Sequence, residues 1–142
     1  MGERRKGREA ALQMLYQIDA SGVSAEQAIH TYWATLSTGE VGRELADELV
    51  RGWAETRDEI DRTIRAVSQH WRLERMSRVD RNILRLATYE LMKMPNVPRR
   101  VTLNEAVELA KRFGATDGYR YVNAVLDRAS RSHRSAERGE VA

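Results

Sequence analysis

The sequence predicts an all-α protein, a bundle of about seven helices. Three observations predict it. Apolar residues recur at helical spacing along most of the chain, no strand-type alternation of useful length occurs, and both prolines fall in one loop, residues 94–100. Because proline breaks a helix, the 94 residues before Pro95 are free to form long helices. The 142 residues suffice for one domain with a real core.

The first half of the chain contains four predicted helices. Apolar stripes place three of them at residues 4–19, 40–54 and 57–72, and a further one begins at Ser24. Gln27 follows Ser24 by three residues, which is the spacing of a capping box, so this helix has a defined start.

The second half contains three predicted helices. Residues 79–93 carry the widest apolar stripe, which suits a central helix. After the proline loop, Thr102 and Glu105 have the spacing of a second capping box. We expect Gly114 to end this helix in the left-handed conformation and Asp117 to cap the last helix.

Composition and motifs exclude several classes of protein. The net charge is only +3, and the absence of cysteine removes disulfides, thiolate nucleophiles and cysteine-based zinc sites. No apolar run is long enough for a signal peptide or a membrane span, so we expect a cytoplasmic protein. Phosphate-binding glycine loops, a nucleophile elbow and histidines at metal-ligand spacing are all missing. We therefore expect no enzymatic activity, no cofactor and no metal.

A basic cluster at the start of the first helix is the feature of the sequence that indicates a function most clearly. Four positive charges, Arg4, Arg5, Lys6 and Arg8, fall within five residues. This position favours acidic residues because of the helix dipole, so the charges are candidates for binding phosphates. The alternative is a basic tail that only improves solubility.

A second candidate site joins the last two predicted helices through glycines at residues 111–121. This segment interleaves cations with aromatic rings: Lys111, Arg112 and Arg120 with Phe113, Tyr119 and Tyr121. Rings that stack unpaired bases beside cations that hold phosphates are typical of proteins that bind single-stranded RNA. The alternative places Phe113 and Tyr121 in the core and leaves the cations as ordinary surface.

Several segments of the chain resemble the NusB family of bacterial transcription antitermination factors. The most specific is Asn-Glu-Ala-Val-Glu-Leu-Ala-Lys-Arg-Phe-Gly at residues 104–114. Residues 4–16 resemble the family's opening helix and residues 79–91 its central helix. Val97-Pro98 and residues 121–127 also match, and the whole resemblance spans residues 4–129.

The resemblance implies a fold of two packed helical bundles and a non-enzymatic function. Residues 1–131 would form a single NusB-like domain, and residues 132–142, where periodicity is lost, a frayed tail. Such a factor binds the boxA segment of nascent RNA together with the ribosomal protein NusE. The pair joins elongating RNA polymerase and suppresses termination on ribosomal RNA operons.

The resemblance also implies site residues in this chain. Those expected to bind RNA are Arg4, Arg5, Lys6, Arg8, Lys111, Phe113, Asp117 and Tyr121, with Gln13 and Arg85 as additions. Those expected to bind NusE are Glu74 and Asp80. We expect the basic cluster and residues 111–121 to lie on one face.

Two departures from the family and two alternative functions matter here. The common Phe-Val-Asn-Gly reads Tyr121-Val-Asn-Ala124 in this chain, so the Tyr121 ring can still stack, but Ala124 lets the last helix approach its neighbour less closely. The chain would alternatively be a protein-interaction module that forms a homodimer through its basic face. It would also fit the NusB-like RNA-binding domain of an rRNA methyltransferase, of which it would then be a fragment.

Overall fold

The computed structural model describes residues 2–37 and 39–134, and within them the prediction of an all-α fold is confirmed. These residues form seven α-helices and no strand. The helices are α1 (Glu3–Ser21), α2 (Ala25–Thr31), α3 (Arg43–Glu55), α4 (Arg57–Ser68), α5 (Arg78–Lys93), α6 (Arg99–Phe113) and α7 (Gly118–His133). A π-helical turn at Tyr32–Leu36 follows α2, and a short 3-10 helix at Leu73–Arg75 precedes α5.

Two compact units make up the chain, Met1–Thr56 and Arg57–Ala142. The first contains α1 to α3 and the second contains α4 to α7. The single domain expected over residues 1–131 stays a prediction. No helix in the described ranges has an apolar stretch sufficient to cross a bilayer.

The first unit is built on a close approach of two helix starts. Helix α1 packs against α2 and α3 and buries Leu15, while α3 buries Leu49. A Cβ at Gly7 of α1 would lie 2.9 Å from the Gly42 carbonyl oxygen, which is too close for any side chain. Gly42, at the start of α3, has a φ of +79°, so its conformation also favours glycine.

We expect Gly42→Ala to lower the free energy of unfolding by about 2 kcal/mol or more, because it adds a steric clash to left-handed strain. Its Cβ would lie 2.7 Å from the Glu3 carbonyl oxygen. Gly22→Ala is the matched control, since Gly22 has a φ of +74° but open space around it. Urea unfolding of both variants measures the difference, and equal losses would contradict the close approach of α1 and α3.

In the second unit, α5 is the central helix, as its apolar stripe predicts. It packs against α4, α6 and α7. Its buried side chains include Ile83, Leu84 and Leu91. The Ser77 hydroxyl caps the helix by accepting a hydrogen bond from the Asp80 backbone N–H at 3.0 Å.

Arg134, which follows α7, closes the carboxyl end of α5. Its guanidinium donates to the carbonyl oxygens of Glu90, Leu91, Met94 and Val97 at 2.8 to 3.1 Å. These bonds satisfy carbonyls that a helix end otherwise leaves unpaired. The frayed tail predicted from residue 132 is therefore wrong for its first three residues, and its remainder, residues 135–142, lies outside the described residues.

The predicted helix starts have mixed outcomes. The capping box of Ser24 and Gln27 is confirmed, with reciprocal hydrogen bonds of 2.9 and 3.1 Å. The second capping box is wrong, because α6 already begins at Arg99. Thr102 is a buried residue of the first turns, and its hydroxyl donates to the Glu90 carboxylate at 3.2 Å.

The junction of α6 and α7 reverses two expectations. Gly114 ends α6 with a φ of −84°, so the predicted left-handed conformation is wrong there. Asp117 instead has the positive φ, +63°, and its side chain makes no capping hydrogen bond to α7. Aspartate tolerates this conformation better than most residues.

Helix α4 also ends at Ser68, four residues before the expected end at residue 72.

Candidate nucleic-acid interface

The end of α6 and the start of α7 present two aromatic rings with cations against them. Lys111 Nζ lies 5.1 Å from the centre of the Tyr119 ring, and Arg120 Cζ lies 5.3 Å from the same centre. Arg112 Cζ lies 4.8 Å from the centre of the Phe113 ring. We name these five residues the ring–cation surface.

The ring–cation surface is accessible. Phe113 is 47% exposed, so the alternative that buried it in the core is wrong. A guanidinium or ammonium group over a ring gains cation–π attraction and still directs N–H donors outward. The arrangement therefore places an exposed Phe113 ring, a half-buried Tyr119 ring and three positive charges within one short segment. Rings and cations are the groups that bind bases and phosphates in RNA-binding proteins.

Asp117 lies in the loop between α6 and α7 and adds an exposed acceptor to this surface. Its carboxylate is 3.6 Å from Arg120 Nε, and both side chains are largely exposed. The Asp117 side chain makes no capping hydrogen bond to α7, so the helix backbone does not occupy its carboxylate. A carboxylate in this position can accept hydrogen bonds from the amino or imino groups of a base.

A buried carboxylate underlies the same loop. Asp80 of α5 has no exposed surface, and its Oδ2 accepts three hydrogen bonds. The donors are the Ser77 hydroxyl at 2.7 Å, the Ala115 backbone N–H at 3.2 Å and the Tyr121 hydroxyl at 2.7 Å. Asp80 was expected to contact NusE, but a fully buried side chain does not reach a partner, and its role is internal.

Tyr121 is held by the protein rather than presented to solvent. Its ring stacks on Trp71, with centres 6.1 Å apart and planes 29° apart, and its hydroxyl donates to Asp80. This half-buried setting agrees with the alternative that gave Tyr121 a structural role. Burial raises the pKa of the Tyr121 hydroxyl well above 10, and the hydrogen bond to the Asp80 carboxylate raises it further.

We expect the Tyr121 hydroxyl to stay protonated as the pH rises through its ordinary value of 10. Since the folded-state pKa is raised, this hydrogen bond stabilises the fold below that pH and is lost as the pH rises towards the folded-state pKa. Absorbance at the tyrosinate band should show a late-ionising component that Tyr121→Phe removes. A variant that instead lacks a component ionising near pH 10 would contradict the pairing with Asp80.

The amino-terminal basic cluster is only partly at the surface. Arg4 and Lys6 are exposed and Arg5 is half-buried. Arg8 is only 5% exposed, so its expected contact with a phosphate does not fit the structure. Arg4 also lines a groove that contains the carboxylates of Glu3, Glu40, Glu44 and Glu48, which compete with phosphates for it.

Gln13 is exposed, as its expected role requires, and lines a second open groove of the first unit. This groove has a volume of about 280 Å³ and is also lined by Lys6, Tyr32 and Trp33. Trp33 is fixed there by a hydrogen bond from its Nε1 to the Asp47 carboxylate at 2.8 Å.

Arg85 and Glu74, both expected to contact a partner, differ in exposure. The Arg85 guanidinium donates to both oxygens of Asp61 at 3.0 and 3.2 Å, and its side chain is only 14% exposed. This ion pair holds the Arg85 side chain within the second unit, so the expected contact of Arg85 with RNA does not fit the structure. Glu74 pairs with Arg65 at 2.9 Å and is 57% exposed, so its surface is available to a partner.

The structure brings together some of the predicted residues and leaves the relation of others open. Lys111, Phe113 and Asp117 share one short segment, and the basic cluster belongs to the other unit. Their predicted place on one face stays a prediction. Asp80 is one of the residues that sequence reasoning misjudged, together with Arg8 and Arg85. The available signal was the capping spacing of Ser77 and Asp80 and the two glycines, Gly114 and Gly118, that pack on Asp80.

Fold and surface together define a small all-helical protein whose exposed rings and cations have the chemistry of RNA-binding proteins. The NusB family model matches residues 5–131, and the chain belongs to the NusB family. The resemblance stated from the residues is thus confirmed.

Curated relatives are similar over most of their length. The transcription antitermination protein NusB of Sorangium cellulosum is 54% identical over 128 residues, which are 90% of this chain and 91% of that protein. The protein of the same name from Myxococcus xanthus is 45% identical over 134 residues, 92% of this chain and 96% of the relative.

Solved structures confirm the all-α fold. NusB of T. maritima has a TM-score of 0.82 and 33% identity, and the alignment covers 96% of this chain and 97% of that one. A structure described as antitermination factors NusB and NusE in complex with double-stranded RNA has a TM-score of 0.79 and 25% identity. That alignment covers 92% of this chain and 97% of the other.

Proposed function

We propose that this protein is a transcription antitermination factor that binds boxA-type single-stranded RNA together with the ribosomal protein NusE. As part of the RNA polymerase antitermination complex it suppresses termination on ribosomal RNA operons. The observation that carries the proposal is the ring–cation surface, exposed at the junction of α6 and α7. Curated relatives named as transcription antitermination proteins support it.

The proposed division of labour follows from the chemistry of each group. Lys111, Arg112 and Arg120 neutralise phosphates and supply most of the affinity. The rings of Phe113 and Tyr119 stack on bases, which must be unpaired to offer their faces, and this favours single-stranded RNA. Asp117 accepts hydrogen bonds from a base edge and adds selectivity among sequences.

The amino-terminal cluster is the second proposed contact with the same RNA. Arg4, Arg5 and Lys6 carry positive charge at accessible positions, and Gln13 can donate to or accept from a base in the adjoining groove. These groups extend the bound length of RNA beyond what the ring–cation surface covers.

NusE is the proposed protein partner. A similar structure contains NusB and NusE together with RNA, and Glu74 offers an exposed carboxylate in the turn before α5. We propose that the factor is non-enzymatic, uses no cofactor or metal, and acts in the cytoplasm, where nascent transcripts are made.

Fluorescence anisotropy with a boxA-type RNA tests the proposal. We expect single-stranded RNA to bind at least about tenfold more tightly than a duplex of the same sequence, because a duplex hides its base faces. Added NusE should strengthen binding. The logarithm of the affinity should fall with the logarithm of salt at about −0.7 per phosphate neutralised. An affinity independent of salt, or equal for both RNA forms, would overturn the proposal.

A further inference from the structure

We infer that Asp80 is a positioning residue for RNA binding: its buried carboxylate fixes the α6–α7 loop and so places Phe113 and Tyr119 where they meet bases. This inference rests on the proposed function. Asp80 touches no RNA itself, since it has no exposed surface.

The first support is the set of donors that converge on one oxygen. Oδ2 of Asp80 accepts from Ser77 before α5, from the backbone N–H of Ala115 in the loop and from the Tyr121 hydroxyl in α7. The last two lie 35 and 41 residues from Asp80 along the chain. One carboxylate thus ties three separate segments of the second unit together.

The second support is the packing of two glycines against the same carboxylate. A Cβ at Gly114 would overlap Asp80 Oδ1, and one at Gly118 would overlap Oδ2. Gly114 has an ordinary φ of −84°, so its need for glycine comes from space and not from conformation. Both ends of the loop therefore rest directly on Asp80.

The third support is the position of Oδ1. It is buried and has no hydrogen-bond partner within the described residues. Its neighbour is the Gly114 backbone, on the side where a side chain would be attached. The loop backbone therefore packs against Oδ1 as well as donating to Oδ2.

The consequence for the surface follows from chain connectivity. Phe113 directly precedes Gly114, and Asp117 and Tyr119 flank Gly118. Each side chain of the α6–α7 junction that we propose to contact a base is therefore one residue from a backbone position that rests on Asp80. A shift of the loop away from the carboxylate moves all three together.

Tyr121 contributes to this role through its hydroxyl, which donates to Asp80 at 2.7 Å. A phenylalanine at this position would keep the ring and lose this hydrogen bond to the carboxylate that holds the loop.

Asp80→Asn and Tyr121→Phe test the inference against the matched control Asp61→Asn. All three keep the size of the side chain, and Asp61 pairs with Arg85 on the same helix as Asp80. The measurements are the Kd for a boxA-type single-stranded RNA, amide hydrogen exchange at Ala115 and thermal unfolding, each on the full chain.

We expect Asp80→Asn to raise the Kd about tenfold and to speed exchange at Ala115, because an amide is a weaker acceptor for these donors than a carboxylate. Tyr121→Phe removes one donor and should raise the Kd about threefold. Asp61→Asn should lower the melting temperature and leave the Kd within about twofold.

Unchanged Kd values for Asp80→Asn and Tyr121→Phe, in a wild-type protein that binds the RNA, would overturn the inference and leave the proposed function standing. If Asp80→Asn does not fold, Tyr121→Phe decides alone, and a Kd equal to that of the wild type overturns the inference. A wild-type protein that binds no RNA would overturn both.

Discussion

Replacing Phe113 and Tyr119 together by alanine is expected to weaken binding of boxA-type RNA about thirtyfold or more. Each ring stacked on a base contributes about 1–3 kcal/mol, so the loss of two rings costs at least about 2 kcal/mol, which corresponds to this factor. The fold should persist, because Phe113 is exposed and Tyr119 is only half-buried. Affinity is measured by anisotropy and helicity by circular dichroism.

Val101→Ala is the control for that experiment. Val101 is an exposed apolar residue near the start of the same helix, α6, so its loss also removes apolar surface. The Kd of the Val101→Ala variant for the boxA-type RNA should stay within about twofold of the wild-type value. A double variant of Phe113 and Tyr119 that folds and binds RNA as tightly as the wild type would show that these rings do not bind the RNA.

Arg134→Ala is expected to lower the free energy of unfolding by about 3 kcal/mol or more, because charge-assisted hydrogen bonds are lost and buried carbonyls become unpaired. The affected carbonyls belong to Glu90, Leu91, Met94 and Val97. Lysine should restore only part of the loss, because a single ammonium group does not span four acceptors. Thermal and urea unfolding measure the effect.

Arg131→Ala supplies the matched control on the same helix. Arg131 is exposed and pairs with Asp127 at 2.9 Å four residues away, so its removal should cost less than about 1 kcal/mol. Equal stability of the Arg131 and Arg134 variants would contradict the closing role of Arg134 at the end of α5.

The apolar pattern predicted the helices well because burial of a stripe depends on local spacing. Helix α5 illustrates this: the stripe over residues 79–93 gave a central helix, and the observed helix is Arg78–Lys93. Phe113 and Lys111 were likewise predicted for the site, since a short segment between two helices keeps its members together whatever the rest of the chain does.

The errors involve polar side chains whose partners are distant in sequence. Arg85 pairs with Asp61, 24 residues away, and Asp80 pairs with Tyr121, 41 residues away. Arg134 lies beyond the last apolar repeat and donates to carbonyls 37 to 44 residues earlier in the chain. A one-dimensional pattern shows that such residues are polar, but only the tertiary fold shows which of them are buried.

The basic cluster and the ring–cation surface are expected to bind one RNA, although they belong to different units.

The alternative of a homodimer is tested by light scattering with and without RNA. A dimer that RNA does not perturb would favour the protein-interaction alternative.

Photo-crosslinking of a boxA-type RNA, followed by mass spectrometry of the peptides, shows whether the ring–cation surface contacts the RNA. We expect adducts on the segment that contains Phe113 and Tyr119, together with adducts near residues 4–13, and their loss in excess unlabelled RNA. Adducts confined to other helices, with both segments unmodified, would contradict this expectation.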